Sequence, residues 1–450
     1  MKKKNERGHR PLSFTHKQLC RIKKIQKMKQ LVYLIVVVFL ASCNSNEKFK
    51  TNPKDYNNYL EQQSSKTTSK YFELWNSKIT SDSTQLMSFA NVASEYNRYF
   101  KNTGEISYLK KAEQALDKAV EIANINKASY YRALARNYIS QHRFREALQM
   151  ANLALENKTG LTKSQALLFD VHMELGNYTE AHRYLEHIKN MSDFGYLIRV
   201  AKWSDFKGDL DTTIKFMEKA LTKAESSKNK NLLLWSYTNL ADYYGHAGRI
   251  EDSYSHYLKA LSIDPKNAYA KKGIAWIVFS FENNSEEALR IMNAVTNTNE
   301  SPDYFLLKAE IADYMGNEQS KEANLDRFVM SLNNPDYGAM YNTYSVDFYV
   351  EKQDYDKALN LAFTETKERP TPESHNLLAY IYLKKGDYKK ALNIVEEHII
   401  GKTFEPAILL NVAHIYKANE KFEKVETLKR ELADATYELG PASIDEIRSL

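Results

Sequence analysis

Residues 237–265 read YTNLADYYGHAGRIEDSYSHYLKALSIDP and decide the fold. Tyr237, Leu240, Ala241 and Tyr244 fall at positions i, i+3, i+4 and i+7, which places them on one face of a helix. A second apolar face follows the turn at Gly248 and consists of Ser253, Tyr257, Ala260 and Leu261. The stretch therefore predicts two short helices that pack against each other across a tight turn.

The same arrangement returns along the chain. One residue, the small one of the first helix, serves as a ruler, and its successive places are Ala135, Phe169, Ala201, Ala241, Ala275, Ala309, Val346, Ala379 and Ala413. The steps between them are 34, 32, 40, 34, 34, 37, 33 and 34 residues. A period of about 34 residues predicts an array of stacked helix pairs. The 40-residue step contains the polar run 226–230, which predicts a loop insertion.

These residues resemble the tetratricopeptide repeat, which has a large residue, Leu-Gly/Ala, Tyr, a turn Gly, Tyr/Phe, Ala and Pro at corresponding places. The resemblance covers about residues 80–435 and implies an all-α fold, a right-handed superhelical solenoid of antiparallel helix pairs. Small ruler residues let the two helices approach closely, and stacked neighbours bury the remaining apolar stripe. Glycines at the turns suit a left-handed helix C-cap, and the predicted ones are Gly176, Gly208, Gly248, Gly316 and Gly386.

Charge is distributed unevenly. Residues 1–30 contain eleven of the 63 Lys and Arg residues and one of the 57 acidic residues, and residues 31–43 contain none of either. The rest of the chain therefore has 52 basic and 56 acidic side chains. A mildly acidic body argues against nucleic acid as a partner. The basic N-terminal end indicates targeting.

The targeting segment ends at Cys43. Ten apolar residues, 31–40, follow the basic region, which is too short a run to span a bilayer and is typical of a signal peptide. Leu40-Ala41-Ser42-Cys43 resembles the bacterial lipobox, which implies cleavage before Cys43, lipidation of its thiol with fatty acids such as palmitate, and acylation of the new amino end. The alternative is an uncleaved hydrophobic anchor with an incidental cysteine. Translation could start at Met1 or Met28.

The chain then divides into four parts. Residues 1–43 are the N-terminal extension and lipoprotein signal peptide, and 44–79 are a polar tether and first helix, which begins near Tyr56 or Lys70. Residues 80–435 are the repeat array, and 436–450 are a C-terminal cap broken at Gly440-Pro441. Lipobox and repeats together resemble tetratricopeptide lipoproteins of the Bacteroidota, which implies a location in the cell envelope, at the outer membrane. The membrane face stays open.

Motifs for catalysis, phosphate binding or metal binding do not occur in the sequence, so we expect no catalytic residues, no metal and no cofactor. His172, His182 and His187 are the nearest approach to a metal cluster, but helical spacing turns the last two to different faces. The aromatic residues could stack on sugars, but core packing is the preferred interpretation for Trp235, Tyr243, Tyr244, Trp276, Tyr380 and Tyr382.

The preferred function is a membrane-anchored scaffold or adaptor that binds a protein or peptide partner on the concave face, with Cys43 in the bilayer. Arg132, Arg136, Lys163 and Lys202 are the candidate binding residues, because they loosely resemble arrays that clamp a peptide carboxylate. The simpler alternative is an ion pair between Arg136 and Asp170. A glycan-capture or nutrient-capture lipoprotein that partners an outer-membrane transporter is the second functional hypothesis, and an enzyme is a third without any motif.

Overall fold

The computed structural model describes residues 49–61, 69–79 and 85–450, which form helices and contain no strand. The predicted lipidation site, Cys43, lies outside the described residues. The helices of the N-terminal half are α1 Pro53–Leu60, α2 Lys70–Asn76, α3 Leu86–Thr103, α4 Ile106–Ile122, α5 Lys127–Ser140, α6 Phe144–Glu156, α7 Leu161–Glu174, α8 Tyr178–His187, α9 Phe194–Phe206, α10 Leu210–Ser227, α11 Lys230–His246 and α12 Ile250–Ile263. Those that follow are α13 Ala268–Trp276, α14 Ser285–Thr296, α15 Pro302–Tyr314, α16 Glu318–Leu332, α17 Asn342–Glu351, α18 Tyr355–Glu368, α19 Pro372–Lys384, α20 Tyr388–Ile394, α21 Pro406–Ala418, α22 Phe422–Leu432, α23 Thr436–Leu439 and α24 Ser443–Ser449.

Helices α3 to α22 form successive pairs, in which the two members pack along each other and the second member also contacts the next pair. The first pair, α3 with α4, precedes the first ruler residue. The predicted all-α solenoid of helix pairs is confirmed within the described residues. Among these residues, no helix is both long and apolar enough to cross a membrane.

The register of the repeat is also confirmed. Every ruler residue is at most 4% exposed, including the two large ones, Phe169 and Val346. Larger side chains are therefore accommodated at these two places without loss of burial. Overpacking is costly in interiors of this density, so the surrounding residues must be matched to the larger volume.

The predicted turn glycines all have positive φ, between 68° and 82°. Gly208 has a second reason to be glycine, because a Cβ there would come within 2.6 Å of the Phe404 ring. Gly248 has only open space around it. The left-handed turn thus explains all five glycines, and a close approach adds to it at Gly208.

The additional residues of the 40-residue step extend helices. The run 226–230 was expected to form a loop, which is wrong: α10 continues to Ser227 and α11 begins at Lys230, so the extra residues lengthen both helices. Between these two helices, the side chain of Asn229 caps α11 by accepting hydrogen bonds from the amides of Asn231 and Leu232. Directly after α13, a π-helical turn over Ile277–Phe281 accommodates one residue more than a regular α-helical turn would.

The segment 51–60 does not begin the repeat stack but packs on its middle. The Tyr56 hydroxyl donates to Glu287 Oε1 at 2.6 Å, and the Arg290 guanidinium donates to Asn57 Oδ1 at 2.7 Å. Tyr56 is buried against α12 and α14. The part of the chain expected to be a polar tether and first helix, beginning near Tyr56 or Lys70, therefore contains two helices: α1, docked on α12 and α14, and α2, which packs on α3.

The array also returns on itself, so that turns of early pairs touch loops of late pairs. The amide of Glu300 donates to the carbonyl of Thr103 at 2.7 Å, and the Arg145 side chain pairs with Glu368 at 2.6 Å. Gly208 against Phe404 continues this line of contacts, which we call the seam. The seam thus brings pairs that are distant in sequence into contact. We call the space between the first helices the lumen.

Candidate functional site

The lumen contains two cavities, of about 1230 Å³ and 770 Å³. Asp205, Tyr344 and Asp347 line both of them, so the cavities are adjacent. Most lining residues come from the first helices of their pairs, α9, α11, α13, α15, α17, α19 and α21. We call the smaller one the acidic cavity and the other the larger cavity.

Helical spacing explains which side chains reach the lumen. From α9 onward, the residue after the ruler position lines a cavity, and these inward residues are Lys202, Asp242, Trp276, Glu310, Asp347, Tyr380 and His414. On α15, Asp303, Leu306, Glu310 and Asp313 form one such inward stripe. The face that packs and the face that lines the lumen are therefore fixed together by the repeat register.

The acidic cavity carries a large excess of negative charge. Its described lining includes eight carboxylates and two lysines. The carboxylates are Asp205, Asp242, Asp303, Glu310, Asp313, Asp347, Glu351 and Glu438. One of the lysines, Lys321, forms an ion pair with Asp313 at 3.0 Å. The other, Lys272, lies over the ring of Tyr269, with its Nζ 5.6 Å from the ring centroid.

Several lumen carboxyl groups have raised pKa values. The surrounding protein removes water and raises the pKa of Glu310 to about 7, against the opposing charge of Lys272. Loss of water and the charge of Glu351 raise the pKa of Asp347 to about 7. Removal of water disfavours the charged form of a carboxyl group and raises its pKa in this way. The lumen is therefore an environment in which a bound cation would be stabilised.

Asp242 is the most firmly held of these carboxylates. Tyr257 and Tyr269 donate hydrogen bonds to its two oxygens, the latter at 2.7 Å. Burial raises the pKa of Asp242, and both hydrogen bonds act in the opposite direction. Tyr257 is buried, whereas Tyr269 is exposed to the lumen. This arrangement fixes a carboxylate beside an accessible aromatic ring.

One end of the acidic cavity is occupied by the chain's own C-terminal segment. The backbone carbonyl of Tyr437, in α23, accepts hydrogen bonds from Trp276 Nε1 at 3.1 Å and from Ser280 Oγ at 2.5 Å. The Tyr437 ring lies against Gly245, where a Cβ would come within 2.6 Å of it. Glycine at position 245 thus makes room for this ring near the C-terminal end of α11. The predicted cap, 436–450, includes a segment that enters the lumen.

The larger cavity has a more balanced charge. Lys202 Nζ forms an ion pair with Glu174 at 2.8 Å, and Arg369, Lys384 and Lys417 also contribute to the lining. The exposed residue Thr343 opens onto the same cavity.

Of the four predicted binding residues, one lines a cavity. Lys202 does, but its ammonium group is paired with Glu174. The expectation that Arg132 faces the groove is not met: it is 6% exposed, and its Nη1 donates to Thr159 O at 2.9 Å and Ser164 Oγ at 3.1 Å. Lys163 is exposed near the start of α7 and is outside both cavity linings.

Arg136 is exposed and also lies outside the two cavity linings. Asp170 forms its ion pair with Arg199 rather than with Arg136. Loss of water lowers the pKa of Arg136, and the nearby charge of Asp170 opposes this effect. Taken together, the four basic residues do not converge on one point, so the structure does not bring them together as a clamp.

The aromatic residues divide between core and lumen. Tyr244 is buried in the core, as expected, but Tyr243 and Trp276 line the acidic cavity and Tyr380 lines the larger one. Tyr243 and Tyr380 also pack against core clusters, so the core-packing interpretation holds for one side of each ring and omits the side that lines a cavity. Position relative to the ruler residue could have distinguished them, because Trp276 and Tyr380 directly follow Ala275 and Ala379.

The histidines pack against aromatic rings: His172 stacks on Tyr184, and His182 lies against Trp203. Groups of three or more His, Cys, Asp or Glu side chains with metal-binding geometry are absent from the described residues.

Comparisons with known proteins concern the fold. The tetratricopeptide repeat family matches residues 236–267 and 372–397. Yeast Tom70 is 14% identical, with 78% of this chain and 85% of that chain covered and a TM-score of 0.37. A tetratricopeptide repeat protein from Parabacteroides merdae is 18% identical, with 57% and 98% covered and a TM-score of 0.34.

A third solved structure, YrrB, described as a tetratricopeptide repeat protein with an unusual peptide-binding site, is 18% identical. The comparison covers 44% of this chain and 96% of that chain, with a TM-score of 0.26. No curated protein sequence matches this chain.

Proposed function

We propose that this chain, which contains tetratricopeptide repeats, is a non-enzymatic scaffold or adaptor that holds a protein or peptide partner in its lumen. The observation that carries the proposal is the C-terminal segment in the acidic cavity. Trp276 and Ser280 hold the Tyr437 carbonyl, and a side chain fills the space above Gly245. Main-chain hydrogen bonds combined with a pocket for a side chain are the means by which proteins recognise peptides.

The lumen also has the size and composition of a binding site. Cavities of this volume, with mixed aromatic and polar linings, are typical of ligand sites. The inward residues are supplied by rigid helices whose opposite faces are packed, so their positions are fixed before a partner arrives. Preorganisation of this kind reduces the entropic cost of binding.

We further propose that the protein is anchored in the cell envelope through lipids on Cys43, with the outer membrane as its location. The support comes from the sequence Leu40-Ala41-Ser42-Cys43 behind a ten-residue apolar run. Two or three fatty-acid chains give stable anchoring, whereas one gives only marginal binding.

Photo-crosslinking tests the lumen as the partner site. A photo-reactive amino acid at Thr343 faces the larger cavity, and the same residue at Met330, which is 67% exposed on a second helix, is the matched control. In native membranes, we expect a discrete protein adduct from position 343 and none of the same mass from position 330. Identical adducts from both positions, or adducts from position 330 alone, would overturn the proposal.

A glycan is the second candidate, because exposed rings such as Tyr344 and Tyr388 line the larger cavity. Aromatic faces with nearby carboxylates also bind sugars. A glycan array discriminates the two hypotheses: binding of a glycan that is lost in Tyr344→Ala, without a protein adduct at position 343, would favour glycan capture.

A further inference from the structure

The lining of the acidic cavity includes the ammonium group of Lys272, whose surroundings indicate the kind of ligand that the cavity suits. Lys272 lies over Tyr269, and its charge acts on three surrounding carboxylates, those of Asp242, Asp303 and Glu310. An ammonium or guanidinium group above an aromatic ring and between carboxylates is stabilised by both.

The two lysines of the described lining, Lys272 and Lys321, do not balance its eight carboxylates. Glu310 and Asp347 are exposed to the lumen and follow the ruler residues of α15 and α17. Tyr344, one turn before Asp347, is 44% exposed and shares the same lumen face. Glu310, Asp347 and Tyr344 thus present two carboxylates and an aromatic ring that further cations could contact.

The segment that occupies the cavity is poorly matched to this charge. Glu438 brings another carboxylate close to Asp205 and Glu405. Loss of water raises the pKa of Glu405 and of Glu438, and nearby carboxylates add to it, those of Glu438 and Asp205 at Glu405 and that of Asp205 at Glu438. The imidazole of His246 is 3.7 Å from Glu438 and partly offsets this repulsion. Trp276 and Ser280 therefore have a main-chain hydrogen-bond acceptor in this segment, whereas the segment does not compensate the negative charge of the cavity.

We propose that the acidic cavity binds a segment of a partner protein that carries lysine or arginine side chains, with their charges placed among Glu310, Asp347 and the adjacent aromatic rings. The inference rests on the proposed function, because it assigns the chemical class of the segment that the lumen holds. Aromatic rings select against anions and for cations, and the carboxylates fix the positions at which charge is accepted.

A synthetic peptide tests this directly. A fluorescein-labelled peptide of four Lys-Ser repeats is titrated with the purified protein, and anisotropy is measured at 50 and 300 mM NaCl. A peptide of four Glu-Ser repeats is the matched probe. We expect saturable binding of the lysine peptide that weakens at high salt, because part of the attraction is screened. We expect no binding of the glutamate peptide.

Two double variants separate the cavity from general surface charge. Glu310→Gln with Asp347→Asn removes two lumen charges, and Asp326→Asn with Glu431→Gln removes two exposed charges outside the cavity linings. The lumen pair should weaken binding about tenfold or more, and the control pair less than about twofold, because close charges in a confined site act more strongly than distant ones. Thermal melts establish that both variants fold.

Three outcomes would overturn the inference: no saturable binding of the lysine peptide, an equal loss in both variants, or equally tight binding of the glutamate peptide. Spermine, added as a competitor, distinguishes recognition of charge alone from recognition of a peptide segment. If spermine displaces the peptide at equal concentration of charges, the cavity recognises charge without main chain, which contradicts a peptide segment as the ligand. A crosslinked partner at position 343 together with failure of the lysine peptide would retain the proposed function and reject only this inference.

Discussion

The indole Nε1 of Trp276 donates a hydrogen bond to the backbone carbonyl of Tyr437, 3.1 Å away and 161 residues later in the chain. This contact brings the C-terminal segment into the lumen, where the first helices present their carboxylates and rings. It joins two observations, an acidic cavity lined by first helices and side chains that bind main chain, and the functional proposals depend on both.

Trp276→Phe removes the hydrogen-bond donor and retains an aromatic ring. One hydrogen bond contributes about 0.5–1.5 kcal/mol, so amide exchange of residues 435–441 should accelerate roughly two- to tenfold. Hydrogen exchange followed by mass spectrometry measures this. Trp235→Phe is the matched control, since Trp235 is 39% exposed and lies outside the cavity linings. Unchanged exchange in Trp276→Phe would show that the contact does not hold the segment.

Ala241→Trp and Ala379→Trp test the repeat register. Both alanines have no exposed surface, so a tryptophan at either place must displace a packed helix. We expect each variant to lose at least ~1–3 kcal/mol of unfolding free energy through overpacking. Urea unfolding measures the loss. Ala247→Trp, at an exposed place beside the first of them, should be nearly neutral, and equal stability of all three variants would contradict the register.

Cys43→Ser tests the lipid anchor. Without a thiol at this position the chain cannot be lipidated, so we expect the variant to leave the membrane fraction and to take up no labelled fatty acid. Fractionation with metabolic labelling provides the measurement. If the wild-type protein takes up no fatty acid and the variant stays with the membrane, the lipoprotein assignment is wrong.

The raised pKa values predict that the difference in stability between the wild-type protein and the double variant Glu310→Gln with Asp347→Asn depends on pH. Near pH 5 the Glu310 and Asp347 carboxyl groups are largely protonated in the folded state, since burial raises the pKa of each to about 7. Above pH 7 they are ionised, and the folded state alone bears the unfavourable environment. Glu310→Gln with Asp347→Asn removes this effect.

The melting temperature of that double variant should therefore be close to that of the wild type at pH 5 and higher at pH 8. The comparison cancels the titration of histidines and ion-paired acids, which both proteins share. A difference that stays constant from pH 5 to pH 8, or that decreases, would show that these two carboxyl groups are not perturbed in the folded protein.

Local spacing was enough to predict the helix pairs and their packing. The ruler residues identify the buried side of each first helix, and the turn glycines follow from backbone geometry. The inward face could also have been derived from them, because Asp242, Glu310 and Asp347 occupy equivalent positions one residue after the ruler. Charged residues at one repeat position thus indicate the lumen, whereas the scattered basic residues Arg132 and Lys163 do not.

Contacts between distant repeats could not be predicted in this way. The seam depends on how many repeats complete a turn of the array, and small rotations at every interface add up to determine this number. Neither the helix α1 nor the segment Thr436–Leu439 carries a sequence pattern that identifies its distant partner. The predictions of a tether with a first helix over 44–79 and of a cap over 436–450 consequently did not include these distant contacts.

The most direct test of the central claim is to map where the bound peptide lies. The Lys-Ser peptide, with a photo-reactive residue at its centre, is crosslinked to the wild-type protein, and the adduct is located by mass spectrometry. We predict adducts on the inward faces of α11, α13, α15 and α17, which line the acidic cavity. Adducts confined to second helices that line neither cavity, such as α10 or α18, would contradict the assignment of the lumen as the binding site.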